Sequence, residues 1–76
     1  MPRRYSTLEV VAALERKGFT VVRQHGSHIR LRGTLGGATR QVTVVAGQAE
    51  ITHKTLRGIR NQLGLTRREF EQLINS

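Results

Sequence analysis

Two capping boxes, one near each end of the chain, constrain its fold more than any other sequence feature. In the first, Ser6 and Glu9 are spaced so that each side chain can satisfy the other's free backbone N–H group at the start of a helix. Thr66 and Glu69 repeat this spacing, and Thr52 begins a looser version of it. These starts, together with Gly18 and Gly64 at the ends of the first two runs, predict helices at about 7–17, 53–63 and 67–74. We expect the last to be a short appendage packed on the second.

The segment between these helices has the alternation of β-strands. A β-rich run starts at Phe19, Ile29 and Leu31 occupy every second position of the next run, and a third run covers 41–45. Three of the eight glycines fall in Gly33–Ala38, which we assign to a hairpin turn. Short connections make neighbouring strands antiparallel, so the predicted fold class is α+β, in the order α-β-β-β-α with a short extra C-terminal helix.

A chain of 76 residues predicts one domain, residues 1–76. Because a chain this short buries a smaller share of its surface than a larger domain does, its core is expected to be modest. The apolar stripes of the first two helices are assigned to that core: Leu8, Val10, Val11 and Leu14, then Leu56, Ile59 and Leu63.

Charge favours nucleic acid as a binding partner. The formal net charge is +8, and no acidic residue occurs between Glu15 and Glu50. A field of one sign attracts polyanions and releases their counterions, although a solvated basic face is the plainer explanation. Cysteine is absent, which excludes thiolate metal sites and suits a cytoplasmic location. The longest apolar run, Val10–Leu14, is too short to span a bilayer, and we expect no membrane partner.

His28 is the strongest candidate for chemistry. It begins the second predicted strand and shares the open face of the sheet with Arg30 and Arg32. An imidazole can take and return a proton near neutral pH, and guanidinium groups can hold a phosphodiester. A base for the ribose 2′-OH beside a cationic clamp is what a metal-free ribonuclease needs, and it would select RNA over DNA. From the residues alone, a surface histidine that merely touches phosphate remains the alternative.

The other histidines are weaker candidates. His25 is expected in the loop before Gly26, where it could be a second proton-transfer group although loop histidines are usually solvated, and His53 lies near the start of a helix. No pair of ligands has the helical spacing of a metal site, so we predict neither a metal nor a cofactor. The predicted sheet holds only Phe19 as an aromatic residue, which favours contacts to phosphate and ribose over base stacking.

Several motifs together resemble the HicA (YcfA-like) toxins of bacterial and archaeal toxin–antitoxin pairs. They are Leu14-Glu-Arg-Lys-Gly-Phe19, Val22-Arg-Gln-His-Gly-Ser-His28, Thr55-Leu-Arg-Gly-Ile59 and Gln62-Leu-Gly-Leu-Thr66, followed by Glu69-Phe70. The resemblance implies a fold like that of the double-stranded-RNA-binding domain and ribosome-independent cleavage of mRNA. It also implies a HicB-type antitoxin as protein partner, covering the active face.

Carried over by motif, the resemblance implies that His28 is catalytic. The expected RNA-binding residues are Gly26, Ser27, Arg23, Arg30, Arg32 and Lys54. The family's Pro-x-His at the end of the third strand is replaced by Val44-Val-Ala-Gly47, and His53, Lys54 or an arginine could substitute for that missing histidine. A non-catalytic RNA-binding module, or an inactive toxin that docks an acidic partner, is the alternative function.

Overall fold

The computed structural model describes residues 4–76 as helices around one antiparallel sheet. The elements are α1 (Thr7–Arg16), β1 (Thr20–His25), β2 (His28–Leu35), β3 (Ala38–Val45), α2 (His53–Leu63) and α3 (Arg67–Asn75). The strands lie in the order β1-β2-β3, with β2 in the centre. The predicted α+β class, element order and extra C-terminal helix are confirmed.

Both capping boxes form as predicted. The Glu9 N–H donates to the Ser6 hydroxyl at 3.1 Å, and the Ser6 N–H donates to the Glu9 carboxylate at 3.1 Å. Thr66 and Glu69 make the same reciprocal pair at 2.9 and 3.1 Å. Each box satisfies donors that a helix start leaves without partners, so α1 and α3 begin where their sequences place them.

Helix α3 packs chiefly against α1, and the prediction that it would be an appendage of α2 was wrong. The Phe70 ring meets the Tyr5 ring edge-on, with centroids 5.7 Å apart. The Arg16 guanidinium donates to the carbonyl of Ile74 at 3.2 Å. Because Phe70, Leu73 and Ile74 are all buried, α3 completes the core.

One hydrophobic core lies between the sheet and the helices, and most of the predicted stripe residues are in it. Leu8 is the exception, since 82% of its surface is exposed. At about 100° per residue, Leu8 lies about 160° from the buried Val10 and about 120° from the buried Leu14 around α1, so its assignment to the core was wrong. Val11 is half-buried beside the core.

The second hairpin turn is shorter than predicted. Strand β2 runs to Leu35 and β3 starts at Ala38, which leaves only Gly36 and Gly37 between the strands. Gly33 pairs with Arg40 inside the sheet. It is glycine because the Phe19 ring packs against it, and a Cβ there would lie 2.6 Å from that ring.

Candidate active site on the open face of the sheet

The helices cover one face of the sheet and leave the other open. Ile29 and Leu31 of β2 point toward the helices, and Leu31 is fully buried. His28, Arg30 and Arg32 alternate with them and are exposed, which confirms the faces predicted for this strand.

A tight turn places two histidines opposite each other on neighbouring strands at one end of the sheet. His25 ends β1, His28 begins β2, and the two are direct partners in the antiparallel register. Only Gly26 and Ser27 separate them, and Gly26 has φ +58°, the left-handed conformation that favours glycine. His25 is therefore a strand residue, and its assignment to a loop was wrong.

The turn is held in place by β3. The Ala46 N–H donates to the carbonyl of Ser27 at 2.6 Å, just beyond the pairing of His28 with Val45. Ser27 thus fixes the turn through its backbone. Since His28 lies directly after this anchor, its backbone is fixed from both neighbouring strands.

The end of β3 is tied in turn to α1 by Thr7, which is 4% exposed. Its hydroxyl donates to the Val45 carbonyl at 2.6 Å and accepts from the Gln48 N–H at 3.0 Å. The Thr7 N–H donates to the Gln48 carbonyl at 2.9 Å. Through these bonds the first turn of α1 supports the strand end that lies beside His28.

A bulge in β1 decides which of its side chains reach the open face. Val21 pairs with Leu31 and Arg23 pairs with Arg30, so Val22 is an extra residue between them. Strict alternation from Val21 would turn Arg23 toward the helices. The extra residue shifts the alternation by one position, so the side chains after it point to the opposite face. Arg23 and His25 therefore share the face of their partners Arg30 and His28.

These side chains line a shallow depression of about 310 Å³ on the open face. Its lining residues are Arg23, His25, His28, Arg30 and Thr43. No carboxylate is among them. The five glutamates lie elsewhere. Glu50 pairs with Arg4 at 2.9 Å, Glu71 pairs with Arg67 at 3.5 Å, Glu9 and Glu69 serve the capping boxes, and Glu15 is exposed on α1.

The depression contains only part of the predicted RNA-binding set. Arg23 and Arg30 line it, and Gly26 and Ser27 form the turn at its end. Arg32 lies farther along the same face, where its guanidinium donates to the Gln41 amide oxygen at 3.4 Å. Lys54 is exposed in the first turn of α2 and is not among the lining residues.

His53, considered from the sequence as a second proton-transfer group, is placed elsewhere. It lines a separate depression of about 240 Å³ with Arg57, Arg60 and Arg67, on α2 and the start of α3. Thr43 lines the His28 depression and was not predicted to do so. The register pairs Thr43 with Arg30, and a two-residue turn at Gly36-Gly37 would have indicated that pairing, but the sequence was assigned the longer turn Gly33–Ala38.

A comparison with known families matches most of the chain. A family model described as the HicA toxin of bacterial toxin–antitoxin matches residues 8–65. Every residue that lines the His28 depression falls within the match, whereas α3 lies beyond it. No curated protein matches the chain. Among residues 4–76, no helix is long and apolar enough to cross a membrane.

Proposed function

The chain belongs to the HicA toxin family of bacterial toxin–antitoxin systems, and we propose that it is a ribosome-independent endoribonuclease that cleaves mRNA and so arrests translation and growth. We further propose that residues 1–76 form one domain that acts in the cytoplasm. The observation that carries the proposal is the depression on the open face, where imidazole and guanidinium groups meet without a carboxylate.

His28 is the proposed catalytic residue. Its imidazole takes the proton of a ribose 2′-OH, and the 2′ oxygen attacks the neighbouring phosphorus. The bond from phosphorus to the 5′ oxygen breaks, which leaves a 2′,3′-cyclic phosphate on one product and a 5′-OH on the other. Because the nucleophile is the 2′-OH, DNA cannot react by this route.

Arg23 and Arg30 are proposed to bind the phosphate. Guanidinium groups make charge-assisted hydrogen bonds to phosphate oxygens, and the same bonds stabilise the charge that grows on them during transfer. Gly26 and Ser27 shape the turn that carries His28. Arg32 and Lys54 are proposed to contact parts of the RNA that lie away from the cleaved bond.

As a toxin of a toxin–antitoxin pair, the protein has an antitoxin as its counterpart. We propose a HicB-type antitoxin that covers the open face of the sheet. The charge of that face favours a partner with carboxylates opposite Arg23 and Arg30. Such a partner would occupy the arginines that are proposed to bind RNA, and RNA would be excluded from the site.

Expression of the wild-type chain and of His28→Ala tests the proposal, with growth and bulk mRNA integrity followed together. We expect wild type to arrest growth and degrade mRNA, and His28→Ala to do neither at equal expression. His53→Ala is the matched control, because that histidine lies in the separate depression. Its toxicity should equal that of wild type.

The chemistry is tested with purified protein. Cleaved RNA should carry 2′,3′-cyclic phosphate and 5′-OH ends, and the rate should be unchanged by EDTA. Products with 5′-phosphate ends, or activity only with magnesium, would overturn this mechanism. RNA binding by wild type without cleavage would instead support the alternative of a non-catalytic RNA-binding module.

A further inference from the structure

We infer that His25 is the second proton-transfer group of this site and acts with His28 as an acid–base pair. The inference rests on the proposed ribonuclease function and extends it to the residue that protonates the leaving group. It follows from the register, which makes His25 and His28 direct partners across the turn, and from their place in one depression.

The spacing of the pair suits a single phosphodiester. Directly opposed residues of antiparallel strands have Cβ atoms about 4.5–5.5 Å apart, and both side chains stand on the same face. Two imidazoles at this separation can reach the opposite sides of one phosphorus, where the attacking and leaving oxygens lie. The Ser27 carbonyl, bonded to the Ala46 N–H at 2.6 Å, holds the turn that sets this spacing.

The proton inventory balances with these two groups alone. Neutral His28 takes the proton from the 2′-OH while protonated His25 gives one to the departing 5′ oxygen. The P–O2′ bond forms as the P–O5′ bond breaks. The step ends with His28 protonated and His25 neutral, and exchange with water restores the starting state.

Apart from His28, which serves as the base, no other side chain that lines the depression can protonate the leaving oxygen as well as His25 can. The charged side chains that line the depression beside the pair are Arg23 from β1 and Arg30 from β2, and β3 contributes the uncharged Thr43. A guanidinium group does not give up its proton in proteins, so neither arginine can serve as the general acid. His53 lines a different depression, and Lys54 lines neither of them.

Two substrates that differ only in leaving group test the inference. One is the dinucleotide uridylyl-(3′→5′)-adenosine, whose 5′ oxygen needs a proton to leave. The other is uridine 3′-(p-nitrophenyl phosphate), whose phenolate leaves without one. His25→Gln should slow the dinucleotide reaction by about 10²-fold or more, yet cleave the nitrophenyl ester within about threefold of the wild-type rate.

The pH profile gives a second readout. With the dinucleotide, wild type should show a bell-shaped rate profile, because one imidazole must be neutral and the other protonated. In His25→Gln, the rate should no longer fall at high pH, because no protonated imidazole is needed. His28→Gln should be inactive on both substrates. Gln24→Ala is the control, since Gln24 pairs with Ile29 and lies on the other face of β1.

The outcomes separate the two proposals. If His25→Gln behaves like Gln24→Ala, or slows both substrates equally, His25 is not the acid although the ribonuclease function stands. If wild type cleaves neither these substrates nor a long RNA, the ribonuclease proposal fails and the acid–base pair fails with it.

Discussion

Gly33 leaves room for the ring of Phe19. A Cβ built on Gly33 would lie 2.6 Å from the Cγ and Cδ1 atoms of that ring, closer than nonbonded carbon atoms approach. Phe19 is 2% exposed and comes directly before β1, and its ring packs against Gly33 of the central strand β2. The contact joins the end of the first loop to the central strand.

Gly33→Ala should therefore destabilise the fold. The added methyl must displace a buried ring, and overpacking of this kind costs about 1–3 kcal/mol. Gly58→Ala is the matched control, because Gly58 lies inside α2 with nothing within 4 Å of its Cβ position. That change should raise the free energy of unfolding by about 0.5–1 kcal/mol. Urea unfolding measures both, and equal effects of the two alanines would contradict the packing argument.

The sequence predicted the order of elements because its signals are local. The capping pairs Ser6 with Glu9 and Thr66 with Glu69 involve residues three apart, so they can be recognised without knowledge of the tertiary structure. Gly33 shows the limit of such signals. A glycine between strands is typical of a turn, but here its cause is a ring fourteen positions earlier in the chain.

The candidate site was predicted only in part, for a similar reason. Alternation placed His28 and Arg30 correctly, because β2 is regular from end to end. It could not place Arg23 and His25, since the bulge at Val22 reverses the phase of β1. Bulges depend on pairing with the neighbouring strand, and one sequence carries no direct record of that pairing.

Thr7→Val should lower the free energy of unfolding by about 1–3 kcal/mol, since it leaves the Gln48 N–H without its hydroxyl acceptor and the Val45 carbonyl without a donor. Thr39→Val is the control, because Thr39 is exposed on the open face of β3 and should change stability by less than about 0.5 kcal/mol. Urea unfolding at neutral pH measures both variants. If the two cost the same, Thr7 does not support the end of β3.

The capping box of α3 should make stability depend on pH. The N–H of Thr66, and then its hydroxyl, hold the pKa of Glu69 below its ordinary value. A carboxylate with a lowered pKa in the folded state stabilises the fold above its ordinary pKa, and that stabilisation is lost as pH falls through the lowered value. Glu69→Gln should flatten this acidic limb. Glu15→Gln, which removes the same charge outside a capping box, should retain it in urea titrations from about pH 3 to 7.

The salt dependence of RNA binding should identify the arginines that contact phosphate. All arginine variants are made in the His28→Ala protein, which we expect to bind RNA without cleaving it. Each phosphate contact that is lost lowers the slope of log K against log salt by about 0.7–1, because fewer counterions are released. We therefore expect Arg23→Ala and Arg30→Ala each to reduce the slope by that amount.

Arg57→Ala removes the same charge from the separate depression on α2, which makes it the matched control. It should leave the slope nearly unchanged if RNA lies along the open face. Fluorescence anisotropy with a labelled single-stranded RNA, repeated over a series of KCl concentrations, gives the slopes. Equal losses for all three variants would mean that RNA responds to net charge alone, and the assignment of Arg23 and Arg30 to the phosphate would be wrong.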